Sequence, residues 1–139
     1  MSTSEPWLTL QRSYEESAKI LQEAGKEVYV AYHESELVGF ILLSMQGAFR
    51  GYIQTVCVMQ AWRKQGVGRK LIAFAEARIF RESPNVFMCV SSFNQQAQRL
   101  YERLGYETIG VLRNYIVSGH DEVLLRKTIA PWSEFCNAD

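Results

Sequence analysis

Residues 52–90 hold a β-like run, a helical stripe and a second β-like run in immediate succession, and that order constrains the fold more than any other feature of the chain. Tyr52 to Met59 is rich in β-branched and aromatic residues. Gly66 to Phe80 then sets Val67, Leu71, Ala75 and Ile79 on one stripe, widened by Ile72 and Phe74, before Ser83-Pro84-Asn85 stops the helix. Val86 to Val90 is apolar throughout, as expected of a central strand covered on both faces. Strand, helix, strand is a crossover unit, so Tyr52 to Met59 and Val86 to Val90 should lie parallel and near one another.

The flanks extend this unit. Val28 to His33 and Leu37 to Met45 read as strands, parted from each other by Glu34-Ser35-Glu36 and from the next strand by Gln46 to Gly51. Links that short predict an antiparallel meander. Ahead of them, Leu10, Tyr14, Ala18, Leu21 and Ala24 recur at helical spacing over Ser13 to Ala24, with Ser13 and Glu16 as a capping box and Gly25 as the stop. Beyond the crossover, Asn94 is a good N-cap for a helix bearing Ala97, Leu100, Tyr101 and Leu104 and closed by Gly105. Tyr106 to Leu112 and Glu122 to Thr128 are two last strands joined by Arg113 to Asp121. The sum is one α/β (α+β) domain over residues 1–139, with its core at about 13–129 and a tail, 130–139, that carries Trp132 and Phe135.

Charge narrows the partners. Fifteen basic residues balance fifteen acidic ones, so a field strong enough to hold nucleic acid or anionic lipid is not expected. No apolar run approaches the ~20 residues of a membrane span, and Met1 to Gln11 lacks the blocks of a signal peptide, which predicts a cytoplasmic protein with no membrane partner. Cys57, Cys89 and Cys136 show no metal-ligand spacing and read as reduced packing residues, with no metal expected.

The most informative stretch for chemistry is Gln60 to Lys70, QAWRKQGVGRK, which leaves a strand, passes two glycines and enters a helix. Glycines at 66 and 68 let backbone N–H groups approach a ligand closely, and a helix start leaves such donors unpaired. Arg63, Lys64, Arg69, Lys70, Arg78 and Arg81 face only Glu76 over the same span, so the helix entrance is locally positive. A diphosphate is the expected ligand, although glycines here also permit tight strand-to-helix packing. A Walker loop is excluded because Gly68 is followed by Arg69-Lys70, and a dinucleotide fingerprint because a third glycine is lacking and Val90 is followed by Ser91-Ser92.

Arg63, Gly66 and Gly68 match R/Q-x-x-G-x-G/A, and Asn94 to Glu107, NQQAQRLYERLGYE, supplies an Asn, a helix carrying Leu-Tyr and a Gly-Tyr exit. Together the two blocks resemble the GNAT acetyltransferase superfamily over roughly Ser13 to Thr128. The resemblance implies a mixed, mostly antiparallel sheet with a splayed parallel pair and flanking helices, and acetyl-CoA as co-substrate. It also implies site residues. Backbone groups of Val56, Cys57 and Val58 would pair with the pantetheine arm, and the N–H groups of Gln65, Gly66, Val67, Gly68 and Arg69 would hold the pyrophosphate, with Arg63 and Lys64 adding charge. Asn94 would orient the cofactor, and Tyr101 would assist the departing sulfur. Too few residues precede Val28 for the family's first strand as well as the helix at Ser13 to Ala24, so the acceptor site is expected to be more open or completed by another subunit.

The resemblance implies direct attack of a primary amine on the thioester, and that amine must first lose a proton. Many relatives carry a carboxylate on the strand that here holds Gln54 and Thr55. Gln54 as a water holder, His120 and Glu122 are therefore the candidates for this role. Trp7, Tyr14, Tyr32, Tyr52 and Tyr115 offer aromatic surface for a small-molecule or peptide amine, and the aromatic tail could pack on its own sheet or in a homodimer. The missing strand carboxylate leaves a non-catalytic acyl-CoA sensor or interaction subunit open as the alternative.

Overall fold

A computed structural model gives the structure of the chain and describes residues 25–135. The helix expected at Ser13 to Ala24, Trp7, Tyr14 and Cys136 lie outside those residues, as does the stretch on which the missing first strand turns. Three strands, β1 (Lys26–His33), β2 (Glu36–Ser44) and β3 (Tyr52–Val58), form the antiparallel meander. A 3-10 turn, Gln60–Trp62, leads to helix α1 (Val67–Ile79), which crosses to β4 (Asn85–Ser91). Helix α2 (Gln95–Arg103), β5 (Glu107–Leu112), β6 (Glu122–Thr128) and a closing 3-10 turn, Trp132–Glu134, complete the described order.

The six strands form one sheet in the order β1-β2-β3-β4-β6-β5. β3 and β4 are its parallel pair, as the crossover order requires, and the other neighbours are antiparallel. The stripe on α1 is buried as its spacing predicts: Val67, Leu71, Ile72, Ala75 and Ile79 pack on Ile41, Leu43, Ile53, Val86, Met88 and Leu125 of the sheet. Polar ties fix the helix laterally. Arg78 makes a two-pronged bond to Glu27 of β1, at 2.9 and 2.6 Å, and Glu76 accepts from Lys127 of β6 at 3.1 Å and from the Tyr106 hydroxyl at 2.8 Å. The hydrogen bonds to the Glu27 carboxylate raise the Arg78 pKa above its usual value, so the guanidinium stays charged.

The parallel pair is short. Registered pairing between β3 and β4 covers Tyr52↔Phe87 and Ile53↔Met88 and then stops. The cause lies on the other edge of β3, where Leu42 pairs with Thr55 and Leu43 with Ile53, leaving Gln54 as an extra residue. Such a bulge bends its strand and increases the local twist, and here it turns β3 away from β4. The closed end of the pair depends on Gly51. Its carbonyl accepts from Phe87 N–H at 2.9 Å, its φ is +92°, and a Cβ there would lie 2.4 Å from the Asn85 carbonyl oxygen.

Gly51→Ala therefore combines a left-handed backbone with a backbone clash. It is expected to cost about 3 kcal/mol and to lower the Tm by about 10 °C, read by calorimetry.

Candidate active site

The bend after β3 has the local form the sequence predicts. Gly66 caps α1 with φ +89°, and the first helical bond runs from Lys70 N–H to the Gly66 carbonyl at 3.1 Å. The N–H groups of Val67, Gly68 and Arg69 therefore have no carbonyl one turn earlier to bond, and neither a capping side chain nor an acid in the first turn competes for them. Lys64, Gln65 and Arg69 are exposed around this bend. The Arg63 side chain folds back, its Nε donating to the Val58 carbonyl at 3.2 Å, and Gln65 Nε2 donates to the Ala61 carbonyl.

Between the splayed ends of β3 and β4 lies a cavity of about 230 Å³. Val56 and Met88 line it with Asn94, Ala97 and Tyr101 of the α2 segment, and Gln54, Ser91 and Glu122 are on its wall. The Met59 N–H bonds the Val38 carbonyl at 2.9 Å. Because bonded pairs alternate along an antiparallel ladder, Cys57 bonds to β2 whereas Val56 and Val58 turn their backbone groups toward this gap. Tyr101 is held by α2, whose N-cap Asn94 accepts from Ala97 N–H at 3.1 Å. Among the described residues its hydroxyl has no hydrogen-bond partner, and burial raises its pKa above 10, so it remains protonated at neutral pH.

The candidates for proton removal separate in space. Glu122 is buried at the gap and, among the described residues, is the one carboxylate on its wall; its Oε2 accepts from the Ser91 hydroxyl at 2.9 Å. Gln54 also lines the gap, but its side-chain carbonyl takes a hydrogen bond from Lys26. His120 is not part of that wall. It sits on an exposed loop with its ring 5.5 Å from that of Phe93.

A second cavity, about 350 Å³, opens beside the first. Tyr52 and Tyr115, two of the five aromatic residues proposed for the acceptor, meet there; Tyr32 lies elsewhere, on β1. Ser44, Phe49, Leu112 and Leu124 join them, none of which spacing singled out. Cys89 lines both cavities, which corrects its reading as a packing residue: it is a half-buried free thiol on the face of β4 opposite Met88 and Val90. The alternation of Phe87, Cys89 and Ser91 against Val86, Met88 and Val90 was the available signal.

The sequence matches the acetyltransferase (GNAT) family over residues 2–106. The chain belongs to that family. Among curated relatives, it is 28% identical over 119 residues to an N-alpha-acetyltransferase of Sulfurisphaera tokodaii, an alignment covering 76% of this chain and 71% of the relative. Its fold is similar to Naa50 of Arabidopsis thaliana in complex with the bisubstrate analogue CoA-Ac-MVNAL, with a TM-score of 0.71, 17% identity, and coverage of 88% of this chain and 99% of the other. It is also similar to an aminoglycoside 6'-N-acetyltransferase complexed with coenzyme A, with a TM-score of 0.65, 20% identity, and coverage of 84% and 79%.

This GNAT chain is thus an acetyl-CoA-dependent N-acetyltransferase, and its residues fit that co-substrate. The unpaired donors at the start of α1 suit a pyrophosphate, and the backbone groups of Val56 and Val58 along the gap suit an amide-bearing arm. Among the described residues no cluster of His, Cys, Asp or Glu could hold a metal, and no helix is long and apolar enough to cross a membrane.

Pyrophosphate on the α1 turn leads to an outcome in which stability and binding diverge. Arg69→Glu places an acid in the first turn, where it favours the helix dipole but repels phosphate. The Kd for acetyl-CoA should rise about tenfold by titration calorimetry, with the Tm unchanged or slightly higher.

Proposed function

We propose that this enzyme moves an acetyl group from acetyl-CoA directly to the α-amine of a peptide or protein, with Tyr101 as acid for the departing sulfur and Glu122 as acceptor of the amine's proton. The observation that carries this reading is the contact of the two cavities at Cys89: one holds the acid, the carboxylate and the open strand groups, and the other gives an acceptor a way to reach them. The pyrophosphate would rest on the Gln65 to Arg69 turn, with Arg63 and Lys64 contributing charge and Asn94 shaping the gap beside Tyr101. The names of the curated relatives support an α-amine.

In the transfer, the neutral amine forms a C–N bond to the thioester carbonyl carbon and the C–S bond breaks. The sulfur leaves as a thiolate and takes the Tyr101 proton. A thiol with a pKa near 8.5 is a tolerable leaving group, so this help need only be modest. Glu122 takes the proton that the ammonium form must lose before the attack, directly or through a water in the gap, and the proton that nitrogen sheds after the attack returns to the Tyr101 oxygen. The Ser91 hydroxyl occupies Oε2, and among the described residues Oε1 carries no hydrogen bond. An α-amine with a pKa near 8 already has about a tenth of its molecules neutral at pH 7, whereas a lysine side chain near 10.4 has fewer than about one in a thousand. A single carboxylate at the edge of the gap is adequate for the first and poorly matched to the second, which also supports a peptide α-amine over lysine.

Tyr101 must be protonated to act, and its function is lost only as pH rises past its own pKa, which burial places above 10. Turnover should therefore climb through the amine's pKa near 8 and stay level to about pH 10. Tyr101→Phe should lower that plateau about 100-fold with the Kd for acetyl-CoA unchanged. Equal turnover of the two proteins would remove the acid role.

Glu122→Gln should reduce kcat/KM about tenfold at pH 7, and the deficit should shrink toward pH 9.5, where the amine needs no base. A deficit constant with pH would assign Glu122 to structure instead.

A further inference from the structure

The second cavity contains information about the acceptor that the transfer chemistry does not use. Among the described residues its wall carries no charged side chain. Ala48 and Phe49 come from the β2–β3 loop, Tyr115 from the β5–β6 loop, and Leu112 and Leu124 from the strands between which that loop runs. Its volume, about 350 Å³, is more than an order of magnitude above the ~10–15 Å³ that one water needs. Ser44 and Gln46 add polar groups, but most of the lining is aliphatic or aromatic, and filling such a space with apolar atoms is favourable. Phe49 and Tyr115 are each half-exposed, so they frame the mouth from opposite loops. The floor is Cys89, which also borders the gap that holds Tyr101 and Glu122.

These positions limit what can enter. A polycationic acceptor, such as an aminoglycoside or polyamine, needs several carboxylates to replace its lost hydration, and this wall offers none. An acidic first residue is equally ill-served, since none of the described residues lining the space is a cation. A small first side chain could reach the gap but would leave the cavity unfilled and gain nothing from it.

We infer that the cavity between the β2–β3 and β5–β6 loops receives the first side chain of a peptide acceptor and selects large, uncharged, apolar residues there, with methionine, leucine and phenylalanine favoured over alanine, serine and aspartate. The inference rests on the reading that the acceptor is a peptide α-amine, and adds to it the class of the residue that bears the amine. Seating that side chain between Tyr52, Phe49 and Leu124 brings the adjacent amine toward Cys89 and so toward the acetyl group in the gap. Three buried heavy atoms separate methionine from alanine, which at the usual gain per buried methylene corresponds to a preference of about 50-fold.

The test is acetylation of peptides identical except at their first residue, read as kcat/KM at saturating acetyl-CoA. Methionine, leucine and phenylalanine peptides should exceed the alanine peptide by about 50-fold, with the aspartate peptide slowest. A flat profile, or a preference for alanine or serine, overturns the cavity assignment while the peptide reading stands. Failure with every peptide, together with acetylation of a lysine side chain or an aminoglycoside, overturns the peptide reading and the inference with it. A second variant separates this cavity from other sources of selectivity. Ala48→Phe fills it from an exposed loop, where folding is least at risk, and should reduce the methionine-to-alanine ratio at least tenfold. An unchanged ratio in that variant places the selectivity elsewhere and overturns the assignment.

Discussion

The extra residue at Gln54 is the constraint on which the rest of the molecule depends. Two parallel strands that begin in register would ordinarily continue so, burying their edges in each other. Here one inserted residue turns β3 away after Ile53↔Met88, so backbone groups of Val56 and Val58 face a gap instead of a neighbour. An unmet backbone group away from water costs about 1–3 kcal/mol. Part of this cost is offset because Arg63 bonds the Val58 carbonyl. A deformation that looks like a flaw in the sheet thus creates hydrogen-bonding capacity in its middle.

The gap is useful only if its surroundings are fixed, and α1 fixes them. Its apolar stripe lies on the sheet, Arg78 ties it to β1 and Glu76 ties it to β6. A helix pinned on two sides cannot slide, so the unpaired donors at its start keep a set distance from the end of β3. Gly51 fixes the opposite, closed end of the parallel pair by admitting the Asn85 carbonyl where any Cβ would collide. Each end of β3 is therefore set by a separate device, and the strand between them bends at one place.

Much of this was legible in the residues. The crossover, the meander, both described helices and the hairpin fall within a residue or two of where periodicity and capping place them, because Gly66, Asn94 and Gly105 mark helix ends with little ambiguity. The bulge was not legible. The burial parity of β3 shifts from Ile53 to Val56 and Val58, but Thr55 and Cys57 are apolar enough to hide the shift, so Tyr52 to Met59 reads as an unbroken strand. For the candidate site, the turn at Gly66 and the helix holding Tyr101 follow from local pattern. The placement of Glu122 beside Ser91, and of His120 on Phe93 away from the gap, depends on pairing between distant segments, which no local spacing encodes. Cys89 was misjudged for a related reason: an apolar run with both faces covered conceals which face borders a cavity.

The position of Cys89 has a further chemical meaning. A thiol beside an acyl thioester is an invitation to thiol exchange, and a protein so modified would carry its own acetyl group as a dead end. Exchange proceeds through the thiolate, and here burial and the nearby Glu122 charge push the Cys89 pKa up, outweighing the hydrogen bond to Tyr52. The sulfur is thereby held in its sluggish form, so the wall between donor and acceptor stays inert and the acetyl group is left for the incoming nitrogen.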